Sequence, residues 1–169
     1  AYIVLPVIGF IIFSRLQILP SERKMKFTLE LPLHKSKVEV WKAFDNPENT
    51  KIWQPTLIKF ETISGVQGHP GAVSKLTYAE GKREFSLTEK VTYRAEPNRF
   101  DGVYENDFAD NSVKNTFVAT GENETHWKME VEFKFKTLLM KIVGPFAKKN
   151  FVKRTERDME RFKEFVEKP

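Results

Sequence analysis

The sequence contains no cysteine among its 169 residues. This absence excludes a disulfide-based fold, a cysteine nucleophile and a thiolate-bound metal or iron–sulfur cluster. Histidine is scarce as well, because only His34, His69 and His126 occur, and none stands at a spacing typical of metal ligands. Residues 65–71 have the pattern of a turn, and no glycine-rich phosphate loop or nucleophile elbow is present. We therefore expect no bound metal and no cofactor.

Charged side chains are absent from the first 14 residues, although they make up 30% of the chain. Residues 1–13 are apolar, proline or glycine, and apolar residues recur up to position 19. This run predicts an N-terminal transmembrane helix that anchors the chain over residues 1–19, followed by a linker over 20–24. A signal peptide and a buried core helix are the alternatives. The first lacks a small-residue cleavage motif, and Pro6 and Gly9 disfavour the second.

Basic residues follow the apolar segment and none precedes it in the sequence, the first four being Arg15, Arg23, Lys24 and Lys26. By the positive-inside rule, this asymmetry places the following domain in the cytoplasm. We therefore expect a membrane protein with a single-pass N-terminal anchor and a cytoplasmic domain.

The remainder, residues 25–169, is predicted to form one domain, because its length suits one core and it contains no internal repeat. An alternating strand over residues 25–31 opens the domain. Ser36 and Glu39 have the spacing of a capping box, which starts a short helix. Asn46, followed by a proline, starts a second one.

Six further strands are predicted between residues 58 and 136, where apolar and polar residues alternate. In one of them the inward face is formed by Phe85, Leu87, Glu89, Val91 and Tyr93. Helical spacing begins at Leu138, with an interruption at Gly144 and Pro145. The apolar stripe of this helix comprises Leu139, Val143, Ala147, Phe151, Thr155, Met159, Phe162 and Val166. The order predicts an α+β fold in which a bent antiparallel sheet of about seven strands grips a long C-terminal helix.

Several stretches resemble the START/SRPBCC superfamily, which includes the polyketide cyclase-like proteins and has the helix-grip fold. Residues 27–41 resemble its opening strand and first helix. The Trp-Gln-Pro of residues 53–55 resembles its W-x-P turn, and residues 88–100 resemble its E-x-V…P-x-R-F strand pair. An apolar segment joined to the domain by residues 19–22, Leu-Pro-Ser-Glu, resembles the arrangement of membrane-anchored members.

This resemblance covers residues 25–169. It implies a cavity between the sheet and the C-terminal helix that takes a lipid, a sterol, a polyketide or another apolar molecule. No catalytic motif of the superfamily carries over to this sequence, so the resemblance implies a ligand cavity and names no catalytic residue.

Three polar residues on predicted inward faces are candidates for specific contacts with a ligand. A buried carboxylate is costly unless it is paired, so Glu89 needs a partner or a shifted pKa. It either orients a ligand or acts as a general base, or it forms a structural ion pair near the cavity mouth. Asn106 and Asn115 present a similar choice, because they can bond a ligand or satisfy backbone groups at strand ends.

Aromatic residues are abundant, with 15 Phe, 3 Trp and 4 Tyr. They either line a ligand cavity or fill a packed core, and the sequence leaves both interpretations open. For a cavity, the residues expected to contact the ligand are Phe85, Leu87, Glu89, Tyr104, Asn106, Asn115, Phe117, Trp127, Met129 and Phe146.

Most of the net charge of +5 comes from the end of the chain, where residues 137–169 carry nine Lys or Arg and five Asp or Glu. Five of the basic residues, Lys141, Lys148, Lys149, Lys153 and Arg154, have no acidic residue among them. No stacking aromatics or recognition helix accompany them, so nucleic acid is not an expected partner. A solvated helix face and contact with anionic lipid headgroups are the two remaining interpretations.

Three functions fit these observations. The first is a membrane-tethered module that binds a lipid or another apolar small molecule in the sheet–helix cavity. The second is an accessory subunit of a larger membrane protein complex, with the domain as scaffold and the N-terminal helix packed on partner subunits. The third is a cyclase-like or hydratase-like enzyme that uses acids of the cavity such as Glu89.

Overall fold

The computed structural model describes residues 24–168. The predicted anchor over residues 1–19 lies outside the described residues, as does the predicted linker except for Lys24. Lys24 is already the first residue of a strand, one position before the predicted start of the domain. Within the described part of the chain, no helix is both long and apolar enough to cross a bilayer.

Seven strands form the sheet: β1 (Lys24–Leu33), β2 (Leu57–Ser64), β3 (Val73–Glu80), β4 (Arg83–Ala95), β5 (Arg99–Glu105), β6 (Ala109–Gly121) and β7 (Glu124–Phe135). Their spatial order is β1-β7-β6-β5-β4-β3-β2, and every neighbouring pair is antiparallel. Strands β2 to β7 are thus joined by successive hairpins, and β1 is added beside β7. The predicted seven-stranded antiparallel sheet is confirmed.

Two short helices follow β1, and a longer helical segment follows β7. They are α1 (Lys37–Asp45), α2 (Pro47–Trp53), α3 (Leu138–Val143) and α4 (Lys148–Val166), with a 3₁₀ turn (Gly144–Ala147) between the last two. The C-terminal helix and the interruption predicted near Gly144 are therefore confirmed. Together with the sheet they form the helix-grip arrangement.

Local capping explains why α1 and α2 begin where they do. The backbone N–H of Ser36 donates to the Glu39 carboxylate at 3.1 Å, and the backbone N–H of Glu39 donates to the Ser36 hydroxyl. This is the predicted capping box. Asn46 accepts from the backbone N–H of Glu48 at 3.0 Å, ahead of a proline at the first helical position.

An aromatic core fills the space between the sheet and the helices at one end of the sheet. Its rings come from both layers and belong to Trp41, Phe44, Trp53, Phe117, Trp127 and Phe162. Trp127 of β7 and Phe162 of α4 are fully buried, and their ring centroids lie 5.1 Å apart. A second, smaller cluster at the opposite end contains Met25, Ala109 and Phe135. The interior between these two clusters is where a cavity remains.

Two predicted faces differ from the structure. Tyr93 is 47% exposed, because the register of β4 against β5 shifts between Val91 and Tyr93. Such a bulge reverses the side chains that follow it, and the Arg99 guanidinium covers the outward Tyr93 ring at 4.9 Å. Leu139 and Val143 are also exposed, since they belong to the separate helix α3. The inward stripe of α4 begins only at Phe151.

Candidate ligand-binding cavity

A cavity of about 320 Å³ lies between the sheet and helices α1, α2 and α4. This volume falls within the range of pockets that enclose small organic ligands. All strands from β2 to β7 contribute to its wall, so the antiparallel sheet forms its floor. The exposed residues Gln67 and His69 of the β2–β3 turn mark the end at which the cavity reaches the surface.

Three polar side chains lie next to one another across the floor of the cavity. Glu89 of β4 pairs in register with Tyr104 of β5, and Tyr104 pairs with Asn111 of β6. Residues directly opposite on antiparallel strands place their side chains on the same face, with Cβ atoms about 5 Å apart. We call Glu89, Tyr104 and Asn111 the polar row. It places two acceptor groups and a phenol within reach of one ligand functional group.

Glu89 supplies the carboxyl group of the polar row. Its side chain is 7% exposed, and burial raises its pKa from 4.5 to about 7. The expected ion pair is not found, because no cation or hydrogen-bond donor within residues 24–168 offsets this burial. Near neutral pH the group is therefore partly protonated, and it can donate a hydrogen bond as well as accept one.

Three more polar residues line the cavity: Gln54, which follows α2, Tyr78 of β3 and Asp158 of α4. The Tyr78 hydroxyl donates to Gln54 Oε1 at 3.0 Å, and burial together with the charges of Glu89 and Asp158 raises the Tyr78 pKa. Burial also raises the pKa of Asp158, against the opposing effect of nearby arginines, of which Arg161 donates to it at 2.8 Å. Two acids and two phenols therefore line one cavity.

Two buried polar atoms in the cavity wall have no hydrogen-bond partner within residues 24–168. They are Oδ1 of Asn111 and Nε1 of Trp53, an acceptor and a donor. Buried polar atoms are nearly always bonded, so each of these two atoms is a candidate for a bond to a ligand or a water. The apolar part of the wall includes Phe44, Leu76, Leu87, Val113, Met129, Val131, Phe133 and Met159. Further polar residues of the wall are Asp45, Thr50, Gln67, His69, Arg94, Asn115 and Thr155.

Arg94 connects the elements around the cavity entrance. Its Nη2 donates to Oδ2 of Asp45 at 2.7 Å, and its Nη1 donates to the other oxygen of the same carboxylate and to the Gly68 carbonyl at 3.2 Å. The guanidinium also lies 5.2 Å from the centre of the Trp41 ring. A fork-to-fork pair of this kind has a fixed geometry, so it holds the end of α1, the β2–β3 turn and β4 together.

A family model described as "Polyketide cyclase / dehydrase and lipid transport" matches residues 26–167. The chain belongs to this family. No curated protein sequence matches it. The START-like, polyketide cyclase-like fold expected from the sequence motifs is therefore confirmed.

Solved structures of this fold align with nearly their whole length. Ara h 8.0201 has a TM-score of 0.70 at 19% identity, covering 85% of this chain and 98% of its own. A START superfamily protein from Mycobacterium smegmatis has a TM-score of 0.70 at 16% identity, with 84% and 97% covered. Norcoclaurine synthase from Thalictrum flavum, in complex with dopamine and hydroxybenzaldehyde, has a TM-score of 0.64 at 16% identity, with 100% and 97% covered. At these identities the likeness shows the fold alone.

In this member of the polyketide cyclase family, five of the ten residues expected to contact a ligand line the cavity: Leu87, Glu89, Tyr104, Asn115 and Met129. The other five lie elsewhere. Phe117 and Trp127 belong to the packed aromatic core. Phe85 stacks on Tyr78 with ring centroids 5.4 Å apart, and Phe146 is 84% exposed on the 3₁₀ turn. The aromatic residues thus serve both of the purposes that the sequence left open.

The two candidate asparagines are both bonded to the protein. Asn106 lies just after β5 and accepts from the backbone N–H groups of Phe108 and Ala109 at 2.8 and 2.9 Å. Asn115 accepts from Nε1 of Trp127 at 3.0 Å and donates to the Phe100 carbonyl at 3.3 Å. Asn106 therefore shapes the β5–β6 turn, just after β5 ends at Glu105. Asn115 fixes the Trp127 indole at the edge of the cavity.

The sequence analysis missed Tyr78, Asn111 and Asp158 as residues of the site. Tyr78 follows the alternation of β3, so its inward position was available from the pattern. Asp158 lies three residues after Thr155 of the apolar stripe, a spacing that places it on the same face of α4. Asn111 lies near the start of β6, which begins at Ala109, and its position beside Tyr104 depends on the pairing of β6 with β5. No group of potential metal ligands occurs among the described residues.

Proposed function

We propose that the chain binds one small, largely apolar molecule in the cavity between the sheet and α4. The observation that carries this proposal is a cavity wall that combines the polar row with many apolar side chains, with Glu89 buried and unpaired. Ligand pockets commonly combine a hydrophobic lining with a few polar groups that fix the orientation of the ligand. A buried carboxyl without a partner is costly in the absence of such a molecule.

The chemistry of the wall favours a ligand whose polar group is a hydroxyl or an amine. Such a group donates to Glu89 or to Oδ1 of Asn111, and a hydroxyl oxygen also accepts from the phenol of Tyr104. The rings of Phe44 and Phe133 provide an apolar surface for the rest of the molecule. The Thalictrum flavum synthase of the same fold holds dopamine and hydroxybenzaldehyde, which are small aromatic molecules with such groups.

Native mass spectrometry of the intact purified chain tests this proposal. We expect a bound small molecule whose mass is released on activation, and we expect it to be absent from Val113→Trp, which fills the cavity. The matched control Val118→Trp lies on the outward face of the same strand, where Val118 is 52% exposed, and should retain the molecule. Adducts that are equal in all three proteins would contradict binding in the cavity.

We also propose that the N-terminal segment tethers the domain to a membrane. Residues 1–19 have the length and apolarity of a short anchor, and the basic residues that follow favour a cytoplasmic domain. Protease protection of the full chain in sealed membranes, read at sites in the domain, tests both points. An accessory role within a membrane complex predicts instead that the chain is extracted together with other subunits.

Catalysis in the same cavity is a second candidate, which the position and pKa of Glu89 favour. A carboxyl with a pKa of about 7 is suited to transfer protons near neutral pH, and the Tyr104 phenol lies next to it across the strand pair. If the bound molecule is a substrate, Glu89→Gln should abolish its conversion while keeping it bound. If the molecule is only carried, the bound species remains chemically unchanged in both proteins.

A further inference from the structure

An exposed apolar surface lies at the end of the sheet where α3 and the 3₁₀ turn join β7. Five large apolar side chains there are between 44% and 84% exposed, namely Leu138, Leu139, Ile142, Val143 and Phe146. We call these five residues the α3 face. Scattered exposed hydrophobic residues are common, but five within nine positions are unusual for a surface that faces only water.

The opposite side of this segment is fixed to the domain. Gly144 is buried directly against Phe135 of β7, since a Cβ atom at position 144 would lie 2.4 Å from that ring. Met140 packs with Phe135 and Met25 in the smaller core cluster. The β5–β6 turn adjoins the segment, because the backbone N–H of Lys136 donates to the Phe108 carbonyl at 2.8 Å. The α3 face is thus held outward by packing beneath it.

The charges within the segment that carries the α3 face are of one sign, and the adjoining β5–β6 turn contributes the exposed Asp107. No acidic residue occurs between Thr137 and Thr155, and Lys148, Lys149 and Lys153 are exposed at the start of α4. A surface that combines aliphatic and aromatic side chains with flanking lysines matches the chemistry of an anionic bilayer, with an apolar interior and negative headgroups.

The chain also enters the domain at this end. Lys24, the first residue of β1, pairs with Lys134 of β7, and β7 leads within a few residues into α3. The 23 residues that precede Lys24 in the sequence begin with the uncharged apolar segment, and they join the domain at this end of the sheet.

From these observations we propose that the α3 face is a membrane-contact surface that inserts into the headgroup region of an anionic bilayer. Its aliphatic and aromatic side chains enter the acyl boundary, and Lys148 and Lys149 contact the headgroups. This proposal does not depend on what the cavity binds. It gives the domain a fixed orientation on the membrane, with the start of β1 and the end of β7 toward the lipid.

The absence of cysteine provides a direct test on the full chain, because a single introduced cysteine is the only thiol available for labelling. Phe146→Cys and the control Val118→Cys are each labelled with an environment-sensitive fluorophore. Each is then mixed with phosphatidylcholine vesicles, with or without phosphatidylserine, that carry nitroxide-labelled lipids. We expect a blue shift and strong quenching at position 146, several times that at position 118, and a larger effect with phosphatidylserine.

A second variant tests the contribution of the lysines to lipid contact. Lys148→Gln combined with Lys149→Gln should reduce the quenching at position 146, and added salt should reduce it further. Equal, weak quenching at positions 146 and 118 in vesicle-bound protein would overturn the proposal. A blue shift at position 146 without lipid would also overturn it, because it would show that a second copy or the chain's own apolar segment covers the face. Either result leaves the cavity proposal untouched.

Discussion

At the scale of single residues, the chemistry of the cavity depends on side chains that lack partners. Glu89 is buried without a cation, and the neighbouring row contains Asn111 with an unbonded oxygen. By contrast Asn115, further along the same strand face, is bonded at both ends of its amide. We therefore assign Asn111 to ligand contact and Asn115 to a structural role.

The pH dependence of stability reports on Glu89. Its folded-state pKa of about 7 lies above the ordinary value of 4.5, so between these values the folded chain holds a proton that the unfolded chain releases. The free energy of unfolding should therefore fall by about 3 kcal/mol as the pH rises from about 4.5 to 7, and change little from this group beyond that. Glu89→Gln should remove this component in urea titrations made across the same range. Glu84→Gln, on an exposed site of the same strand, should keep the original profile, and a matching loss there would contradict the assignment.

Paired asparagine variants test the distinction made for β6. Asn115→Ala leaves the Trp127 indole N–H buried without an acceptor, which should cost about 1–3 kcal/mol of stability. Asn111→Ala removes an oxygen that has no partner among the described residues, so it should change stability little and weaken ligand binding instead. Chemical denaturation and a ligand titration of both variants measure the two effects. Equal losses of stability would show that Asn111 is structural as well.

At the scale of secondary-structure elements, features that depend on neighbouring residues were predictable from the sequence, and features that depend on the pairing of strands were not. The capping box of Ser36 and Glu39 and the cap at Asn46 involve only neighbouring residues, so their spacing was sufficient to place α1 and α2. The outward position of Tyr93 depends on a register shift against β5, which no pattern within β4 contains. Likewise, the apolar spacing of α3 continues into α4, so the sequence predicted one helix. The 3₁₀ turn between them separates α3, whose apolar side chains are exposed, from α4, whose apolar stripe is buried.

The close contact between α3 and the sheet makes Gly144 sensitive to substitution. A methyl group there would meet the Phe135 ring at 2.4 Å, so Gly144→Ala should destabilise the fold by about 1–3 kcal/mol through overpacking. Gly121→Ala is a suitable control, since its added carbon would lie at an ordinary 3.4 Å from the flexible Glu124 side chain. Thermal unfolding of both variants measures the difference. A stability unchanged in Gly144→Ala would mean that the turn does not pack as described.

The entrance of the cavity depends on the bidentate pair of Arg94 and Asp45. Lysine cannot reproduce two parallel hydrogen bonds and the added bond to the Gly68 carbonyl, so Arg94→Lys should loosen the β2–β3 turn. Hydrogen exchange of residues 65–71 should become faster, and ligand exchange should become faster with it. Arg83→Lys, an exposed change on the same strand, serves as the reference. An unchanged rate of hydrogen exchange in residues 65–71 would show that Arg94 does not hold the β2–β3 turn in place.

At the scale of the whole molecule, the sequence predicted the layers but not the distribution of space between them. Alternation in the strands and the apolar stripe on α4 were sufficient to predict the helix-grip fold. The sheet has one large apolar face and α4 has one apolar stripe, so each can be buried only against the other. Whether Phe117 and Met129 pack against other side chains or border a void depends on the distance between sheet and helix. That distance is set by the aromatic core at one end and by Phe135 and Gly144 at the other. The sequence therefore predicted which side chains point inward, but it did not predict which of them border the cavity.

The central claim is that the space between these two clusters accepts an apolar molecule. Titration with N-phenyl-1-naphthylamine, a neutral aromatic amine, tests it most directly, because its fluorescence rises in apolar surroundings and Trp53 in the cavity wall can transfer energy to it. We predict saturable one-to-one binding by the unmodified chain and by Val118→Trp, and its loss in Val113→Trp although that protein remains folded. Binding that is identical in the two tryptophan variants, or absent from all three proteins, would contradict the account.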